Sequence, residues 1–138
     1  MSNQTITVGL GERAYDIHVG AGVLAGAGDM LKPLVKGVVP VVTDEHVARI
    51  HLQPLLDVLA RSGITARPIV MAPGEVSKSF AGLEKLSGAL LDMEIDRKGL
   101  VIALGGEVIG DLTGFAAGVL KRGVAFAQIP TTLLAQVD

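Results

Sequence analysis

The sequence predicts an α/β fold, in which a mostly parallel sheet is flanked by helices and preceded by a β-hairpin. From Val38 onward, strand-like and helix-like segments alternate, which is typical of a parallel sheet with helices on its faces. Before Val38, two segments alternate polar and apolar residues around a glycine-containing turn, which predicts a hairpin with one solvent-facing side. The length of 138 residues fits a single domain.

Composition and charge exclude several classes of function. Hydrophobic residues make up 49% of the chain, which excludes intrinsic disorder. Twelve basic and 14 acidic residues give a net charge of −2, so no basic surface is available for a nucleic acid or an anionic membrane. With no cysteine, a disulfide framework, a thiolate metal site and a cysteine nucleophile are excluded. We therefore expect a soluble cytoplasmic domain without a nucleic-acid or membrane partner.

The first third of the chain is predicted to form a hairpin, a helix and a strand. The hairpin strands are Thr5–Val8 and Tyr15–Val19, and the helix covers Ala21–Val35. The segment Val38–Thr43 is a continuous apolar strand. Because proline has no N–H to donate, Pro40 predicts an irregular or edge position for that strand.

The next two elements are a helix over Glu45–Arg61 and a strand over Thr65–Met71. The helix is expected to kink or split at Pro54. Its apolar positions at helical spacing are Val47, Ile50, Leu55 and Leu59.

A helix–strand–helix–strand run follows, over Ser79–Met93, Leu100–Leu104, Val108–Leu120 and Val124–Ile129. The first of these strands has no polar residue, which predicts burial on both faces. The first helix is expected to direct inward Phe80, Leu83, Leu86 and Leu90. The second is expected to direct inward Val108, Leu112, Phe115, Ala116 and Val119.

A glycine pair lies between the most apolar strand and the following helix, at Leu104–Asp111. Ligand phosphates bind at such strand-to-helix junctions, because the helix N-terminus offers free N–H groups. Gly105 and Gly106 permit a tight turn and a close backbone approach. Glu107 is unfavourable there because a carboxylate repels phosphate. The alternative is a glycine turn required only for packing.

A second glycine-rich segment matches the dinucleotide pattern G-x-G-x-x-A over residues 20–25, with Asp44 at a spacing that suits a ribose-binding acid. The strand before it alternates like an edge hairpin, however, and isolated glycine matches are weak evidence.

Two further loops and three histidines are candidates. In the loop 73–79, Glu75 and Lys78 are three residues apart, so both could face a ligand at the strand ends. The alternative is that they are solvated charges in a loop that leads into a helix capped by serine. The hydroxyls that follow Pro130 suit a nucleotide or a helix cap, where the chain is expected to begin a final helix. His18, His46 and His51 show no metal-ligand spacing and are interpreted as structural.

Taken together, three motifs resemble the 3-dehydroquinate synthase family. They are PGE-x-x-KS over residues 73–79, ALGG-x-VIGDLTGFAA over residues 103–117, and KRGV-x-F-x-QIPTTLLAQVD over residues 121–138. The similarity covers nearly the whole chain and favours the turn at Gly105 and Gly106 over the segment 20–25. It implies a Rossmann-like NAD-binding N-terminal domain over residues 1–138, the truncated N-terminal half of a two-domain enzyme.

The resemblance also implies a role for individual residues. Cofactor binding is implied for Asp44, Gly74, Glu75, Lys78, Gly105, Gly106, Val108, Gly110, Asp111, Thr131 and Thr132. Arg122, from the same or a neighbouring subunit of a homodimer, is implied to reach the substrate phosphate, and Asp138 to face the substrate. The divalent metal, zinc or cobalt, would have its ligands beyond this chain. No catalytic residue is therefore expected in it, and the fragment alone should be inactive.

The reaction implied by the resemblance is the cyclisation of the sugar phosphate 3-deoxy-D-arabino-heptulosonate 7-phosphate to 3-dehydroquinate, with elimination of phosphate. This is a lyase step of the shikimate pathway. One departure from the family pattern is Glu107, which stands where a third glycine is usual. The alternatives are another sugar phosphate cyclase, a glycerol-dehydrogenase-like enzyme, or a nucleotide-binding module without catalysis.

Overall fold

The computed structural model describes residues 4–10, 13–19, 23–74, 79–95, 98–120 and 124–131. The strands are β1 (Gln4–Leu10), β2 (Arg13–Val19), β3 (Val39–Asp44), β4 (Ala66–Met71), β5 (Leu100–Gly105) and β6 (Ala125–Pro130). The helices are α1 (Val23–Leu31), α2 (Glu45–Val47), α3 (Gln53–Arg61), α4 (Phe80–Asp92) and α5 (Glu107–Leu120). A 3-10 turn (Lys32–Leu34) follows α1, and a π-helical segment (Ala48–Leu52) joins α2 to α3.

The strands form one six-stranded sheet in the order β2-β1-β6-β5-β3-β4. Strands β4, β3, β5 and β6 run parallel, and β1 pairs antiparallel with both β2 and β6. The predicted α/β architecture with an N-terminal hairpin is therefore confirmed. None of the described helices is long and apolar enough to cross a membrane.

Helices on the two faces of the sheet bury two apolar clusters. Helices α1 and α3 cover one face, where Leu31, Leu55 and Leu59 pack with alternate residues of the parallel strands. Helices α4 and α5 cover the other face, where Leu86 and Leu90 pack. All six residues of β5 are buried, as its apolar sequence predicts.

Pro40 predicts an irregular or edge position for β3, and the edge alternative is wrong, because β3 lies between β5 and β4. The Val39 N–H donates to Thr65 O, 2.9 Å away, on the β4 side. Since successive N–H groups of a strand point to opposite neighbours, the Pro40 nitrogen faces β5. Pairing with β5 begins only at Val41, so the missing N–H costs no ladder hydrogen bond.

The helix predicted over Glu45–Arg61 is interrupted as expected, with Pro54 in the first turn of α3. Ile50, one of the four apolar positions at helical spacing, is 68% exposed, whereas Leu55 and Leu59 are buried. The π-helical segment has a wider turn than an α-helix, so it rotates the residues before it relative to those after it. The 3.6-residue spacing from Val47 to Leu55 therefore does not mark one continuous face.

Helices α4 and α5 also present aromatic residues outward, against expectation. Phe80 is 93% exposed and Phe115 is 59% exposed, and Val119 is exposed as well. The inward residues of α5 are Ile109, Leu112, Thr113, Ala116 and Ala117. These are mostly small, and small side chains bring a helix close to a sheet, whereas a phenylalanine on that side would hold it away.

Candidate functional site

The candidate site lies at the edge of the sheet where the parallel strands end. Asp44, the last residue of β3, pairs with Met71 at the end of β4, and Gly105 of β5 pairs with Pro130 of β6. Helices α2, α4 and α5 begin close behind these strand ends. Ligands of open α/β sheets bind at this edge, so three candidate segments are brought to one side of the molecule.

The β5–α5 junction has the backbone that a phosphate site requires. Gly105 has φ +153°, which is unfavourable for any residue with a side chain, and a Cβ there would lie 3.4 Å from the Ile109 Cβ. Gly106 is exposed, and a Cβ on it would meet no atom within 4 Å. The Gly110 N–H donates to Gly106 O at 3.0 Å, while the N–H groups before it have no carbonyl within the helix to reach. An anion can therefore approach open backbone at this turn.

The first helical residue, Glu107, is exposed. Its carboxylate is favourable for the dipole of α5 but unfavourable for an anion bound at the same turn. Val108 is half-buried in the same turn, and Asp111 is exposed one turn later. Gly110 is buried and faces β6, where a Cβ would overlap the Gln128 side-chain amide. Gly110 thus packs against the sheet rather than lining the open turn.

Asp44 caps the helical segment that follows β3. Its Oδ1 accepts a hydrogen bond of 2.9 Å from the Val47 N–H, which is the usual arrangement of an N-cap aspartate. The carboxylate is half-buried, and within the described residues its Oδ2 accepts no hydrogen bond. One oxygen therefore holds the loop, and the other can accept from a ligand hydroxyl.

The β4–α4 junction begins at Gly74, which has φ +83° and open space around its Cα. Ser79 caps α4, since its Oγ accepts a 3.1 Å hydrogen bond from the Gly82 N–H. The serine cap considered from the sequence is therefore confirmed. Glu75 and Lys78 lie outside the described residues, and their roles stay predictions.

The remaining predicted site residues are near the end of the chain. Thr131 is half-buried directly after β6. Thr132, Arg122 and Asp138 lie outside the described residues, so their predicted contacts with cofactor and substrate stay predictions.

The competing dinucleotide pattern at residues 20–25 does not have the strand it needs. The strand before it, β2, pairs antiparallel with β1 at the outer edge of the sheet. A dinucleotide fingerprint follows a parallel strand inside the sheet. In the described part of the chain, no group of three histidine, aspartate or glutamate side chains is arranged to hold a metal ion. Of the histidines, His46 is exposed and His51 is half-buried.

A groove between α4 and α5 was not predicted from the sequence. It has a volume of about 390 Å³ and lies between the start of α4 and the second and third turns of α5. We call it the α4–α5 groove; its lining residues are Ser79, Phe80, Leu83, Asp111, Leu112 and Phe115. The sequence signal for this groove is the pair Phe80 and Phe115, but helical periodicity assigned both side chains to the core.

Comparison with known proteins assigns the chain to a family. The family described as "3-dehydroquinate synthase N-terminal" matches residues 68–138, which is more than half of the chain. The chain belongs to the 3-dehydroquinate synthase family. The 3-dehydroquinate synthases of Brucella ovis and Brucella melitensis biotype 1 are each 51% identical to it over 135 residues, which is 97% of the chain. The chain spans only 36% of the length of these relatives.

Solved structures of related synthases share the fold. A 2-epi-5-epi-valiolone synthase from Streptomyces hygroscopicus subsp. jinggangensis, with NAD+ and Zn2+ bound, is 27% identical, with a TM-score of 0.75 over 94% of this chain and 36% of that one. A 2-deoxy-scyllo-inosose synthase has a TM-score of 0.77 over the same shares at 19% identity. Glycerol dehydrogenase from Schizosaccharomyces pombe has a TM-score of 0.55 at 20% identity, over 69% of this chain and 22% of that one. The Rossmann-like sheet of the synthase family is therefore present here.

Proposed function

We propose that residues 1–138 are the NAD-binding N-terminal domain of a 3-dehydroquinate synthase, an NAD- and metal-dependent lyase of the shikimate pathway. The open glycine turn between β5 and α5 carries this proposal, because it lies where a pyrophosphate binds in a sheet of this kind. The 51% identity to named synthases over 97% of the chain supports the same assignment.

The described residues fit an NAD molecule laid across the strand ends. Space above Gly106 and around Gly74 is open, so the backbone can approach phosphate oxygens closely. The N–H groups at the start of α5 would donate to the pyrophosphate. Asp44 Oδ2 would accept from a ribose hydroxyl, while Oδ1 stays on the Val47 N–H. Bound NAD supplies the reversible hydride transfer that the cyclisation needs.

The other residues predicted for this site would complete it. We propose that Glu75, Lys78, Thr131 and Thr132 contact the cofactor and that Asp111 orients it. We propose further that Arg122 binds the substrate phosphate and that Asp138 faces the substrate. The zinc or cobalt ion that would polarise the oxidised hydroxyl would have its ligands in the rest of the synthase chain. A homodimeric assembly and residence in the cytoplasm stay predictions.

A chimera tests this function. Residues 1–138 replace the matched third of the Brucella melitensis synthase, and we call the product the synthase chimera. We expect it to convert 3-deoxy-D-arabino-heptulosonate 7-phosphate to 3-dehydroquinate with release of phosphate, only when NAD and a divalent metal are present. An Asp111→Asn variant should retain the fold and lose at least tenfold in turnover. A well-folded chimera that binds NAD but releases no phosphate would contradict the proposal.

Another sugar phosphate cyclase is the second candidate, supported by the structural similarity to 2-epi-5-epi-valiolone synthase. The two candidate enzymes, a 3-dehydroquinate synthase and another sugar phosphate cyclase, would share the NAD-binding part and differ in their substrate. Turnover of the complete natural protein with 3-deoxy-D-arabino-heptulosonate 7-phosphate, compared with turnover of the other sugar phosphates that cyclases of this kind accept, distinguishes them. We expect turnover of the first substrate only.

We expect the 138-residue chain alone to bind NAD weakly, because the site would be closed by the rest of the synthase. Calorimetric titration should show no binding tighter than about 10 μM, an affinity of roughly −7 kcal/mol. The synthase chimera is the positive control. Sub-micromolar binding by the isolated chain would show that the site is complete without the remainder.

A further inference from the structure

Strand β4 has a free edge, the side of residues 66–71 that faces away from β3. It lies at one end of the six-stranded sheet, and in the described part of the chain only β3 pairs with it. Two β-branched residues, Ile69 and Val70, lie near its centre, and Val70 is 37% exposed. An unpaired edge of this kind favours pairing with the same edge of a second copy, unless its backbone groups are blocked.

The register with β3 determines which backbone groups lie on the free edge. The Val39 N–H donates to Thr65 O at 2.9 Å, and Val39 pairs with Ala66 in the parallel ladder. Because successive residues of a strand direct their N–H and C=O groups to opposite sides, the odd-numbered residues from 65 to 71 face β3. The residues that face outward are therefore Ala66, Pro68 and Val70.

Proline occupies the central outward position. Pro68 has no N–H to donate to an added strand, and its exposed ring takes the place of the missing hydrogen. The two remaining outward donors, on Ala66 and Val70, are four residues apart, which is about 13 Å along a strand. An added strand would therefore lose the central donor of the ladder and meet the proline ring there.

A lysine of α4 occupies the outward acceptor that follows the proline. Lys85 Nζ donates to Val70 O at 3.5 Å, which agrees with the outward direction of that carbonyl. Lys85 is exposed, so its ammonium group stays hydrated while it covers the carbonyl oxygen. Arg67 in the same strand is exposed as well. Pairing of two identical edges would bring these like charges into one interface, which opposes association.

We propose that Pro68 and Lys85 close the free edge of β4 against strand addition by a second copy of this chain. Pro68 removes the central donor of the edge, and Lys85 occupies the neighbouring acceptor. This role is separate from the proposed function, because it needs neither cofactor nor substrate.

A pair of substitutions in the 138-residue chain tests the proposal. Pro68→Val restores the missing N–H on a β-branched residue, and Lys85→Met removes the ammonium group from a side chain of similar length. The matched control combines Pro40→Val with Lys36→Met, which changes the net charge equally. The Pro40 nitrogen faces β5 inside the sheet, so the restored N–H lies on no free edge. Lys36 is an exposed lysine before β3.

Sedimentation velocity measures the association, and hydrogen exchange read by NMR locates it. We expect the Pro68→Val/Lys85→Met chain to self-associate at least tenfold more tightly than the unsubstituted chain, and the control pair to match the unsubstituted chain. The Val70 N–H should exchange freely in the unsubstituted chain and become protected as the double variant associates. The Ile69 N–H faces β3, so its protection in every variant shows that the sheet is intact.

Unchanged association of a double variant with an intact sheet would overturn the proposal. An equal increase in the control pair would overturn it too. The same holds for tighter association in which the Val70 N–H still exchanges freely, because the contact would then lie elsewhere on the molecule. Lys85→Met alone changes an exposed helical position and leaves β4 unaltered, so it repeats the comparison if the double variant does not fold.

Discussion

The two helical layers of this domain have similar inner faces and different outer faces. Helices α1 and α3 pack leucines on one side of the sheet, and α4 and α5 pack leucines on the other. The outer face of α3 is polar, with an exposed hydrogen bond of 2.8 Å from Gln53 Nε2 to Asp57 Oδ1. The outer face of α4 and α5 instead exposes Phe80 and Phe115. The second layer therefore presents two large aromatic side chains on its outer face, where α3 presents polar ones.

The layers also use glycine differently. In α1, Gly28 brings the helix against α3, because a Cβ there would overlap Ser62 and lie 3.0 Å from Val58 O. In α5, Gly110 and Gly114 bring the helix against β6 instead. The first layer is thus tightened between helices, and the second between helix and sheet. This difference leaves the outer side of α5 free to carry large side chains.

The largest expected effect tests whether the inner faces are equivalent. Leu59 of α3 and Leu86 of α4 are each fully buried. Leu59→Ala and Leu86→Ala should each lower the free energy of unfolding by about 2–5 kcal/mol, through lost burial and a residual cavity. Urea denaturation of the 138-residue chain measures both. A loss below about 1 kcal/mol for Leu86→Ala alone would show that the α4–α5 layer is loosely packed in the isolated chain.

A smaller effect tests the glycine contact of the first layer. Gly28→Ala should destabilise the chain by about 1–3 kcal/mol, because Val58 O and the Ser62 Cβ cannot move away as easily as a side-chain terminus can. Gly26→Ala in the same helix is the matched control, since its Cβ would meet no atom within 4 Å. The control should stabilise by about 0.4–1 kcal/mol. Equal melting temperatures for the two variants would argue against close packing of α1 on α3.

The smallest expected effect tests what Glu107, at the start of α5, does at the proposed cofactor-binding turn. Glu107→Gly in the synthase chimera should tighten NAD binding about fivefold, because removing a carboxylate beside the pyrophosphate is worth roughly 1 kcal/mol. Glu107→Gln removes the charge but keeps the size of the side chain, so it separates the effect of charge on NAD affinity from the effect of size. Calorimetric titration gives the affinity, and thermal melting gives the stability. Unchanged affinity together with a lower melting temperature would assign Glu107 to the helix dipole alone.

The sequence predicts those parts of the fold that local chemistry determines. Strand β5 follows from five consecutive apolar residues at 100–104, and the α4 cap from Ser79. The position of Pro40 could not be predicted, because the neighbour that its nitrogen faces depends on strand order. The predicted inward side of α5 is confirmed for Leu112 and Ala116 and wrong for Phe115 and Val119. Periodicity ranks a side chain by hydrophobicity, whereas close packing on β6 selected small residues and left Phe115 outside.

The candidate site was predictable to a similar extent. The turn at Gly105 could be found because its strained backbone restricts the position to glycine, which is visible in the sequence. The α4–α5 groove could not be found, because Phe80 and Phe115 are 35 residues apart and line one groove only through the packing of two helices.

NAD titration of one pair of glycine variants tests the central claim, that the β5–α5 turn is the cofactor site. A Cβ on Gly106 or on Gly118 would meet no atom within 4 Å, so both positions accept alanine without a clash. Gly106 lies at the open turn, whereas Gly118 lies near the far end of α5. In the synthase chimera, Gly106→Ala should weaken NAD binding about tenfold, equivalent to 1.4 kcal/mol, without lowering the melting temperature, and Gly118→Ala should leave the affinity unchanged. Equal NAD affinities for the two variants would contradict the claim.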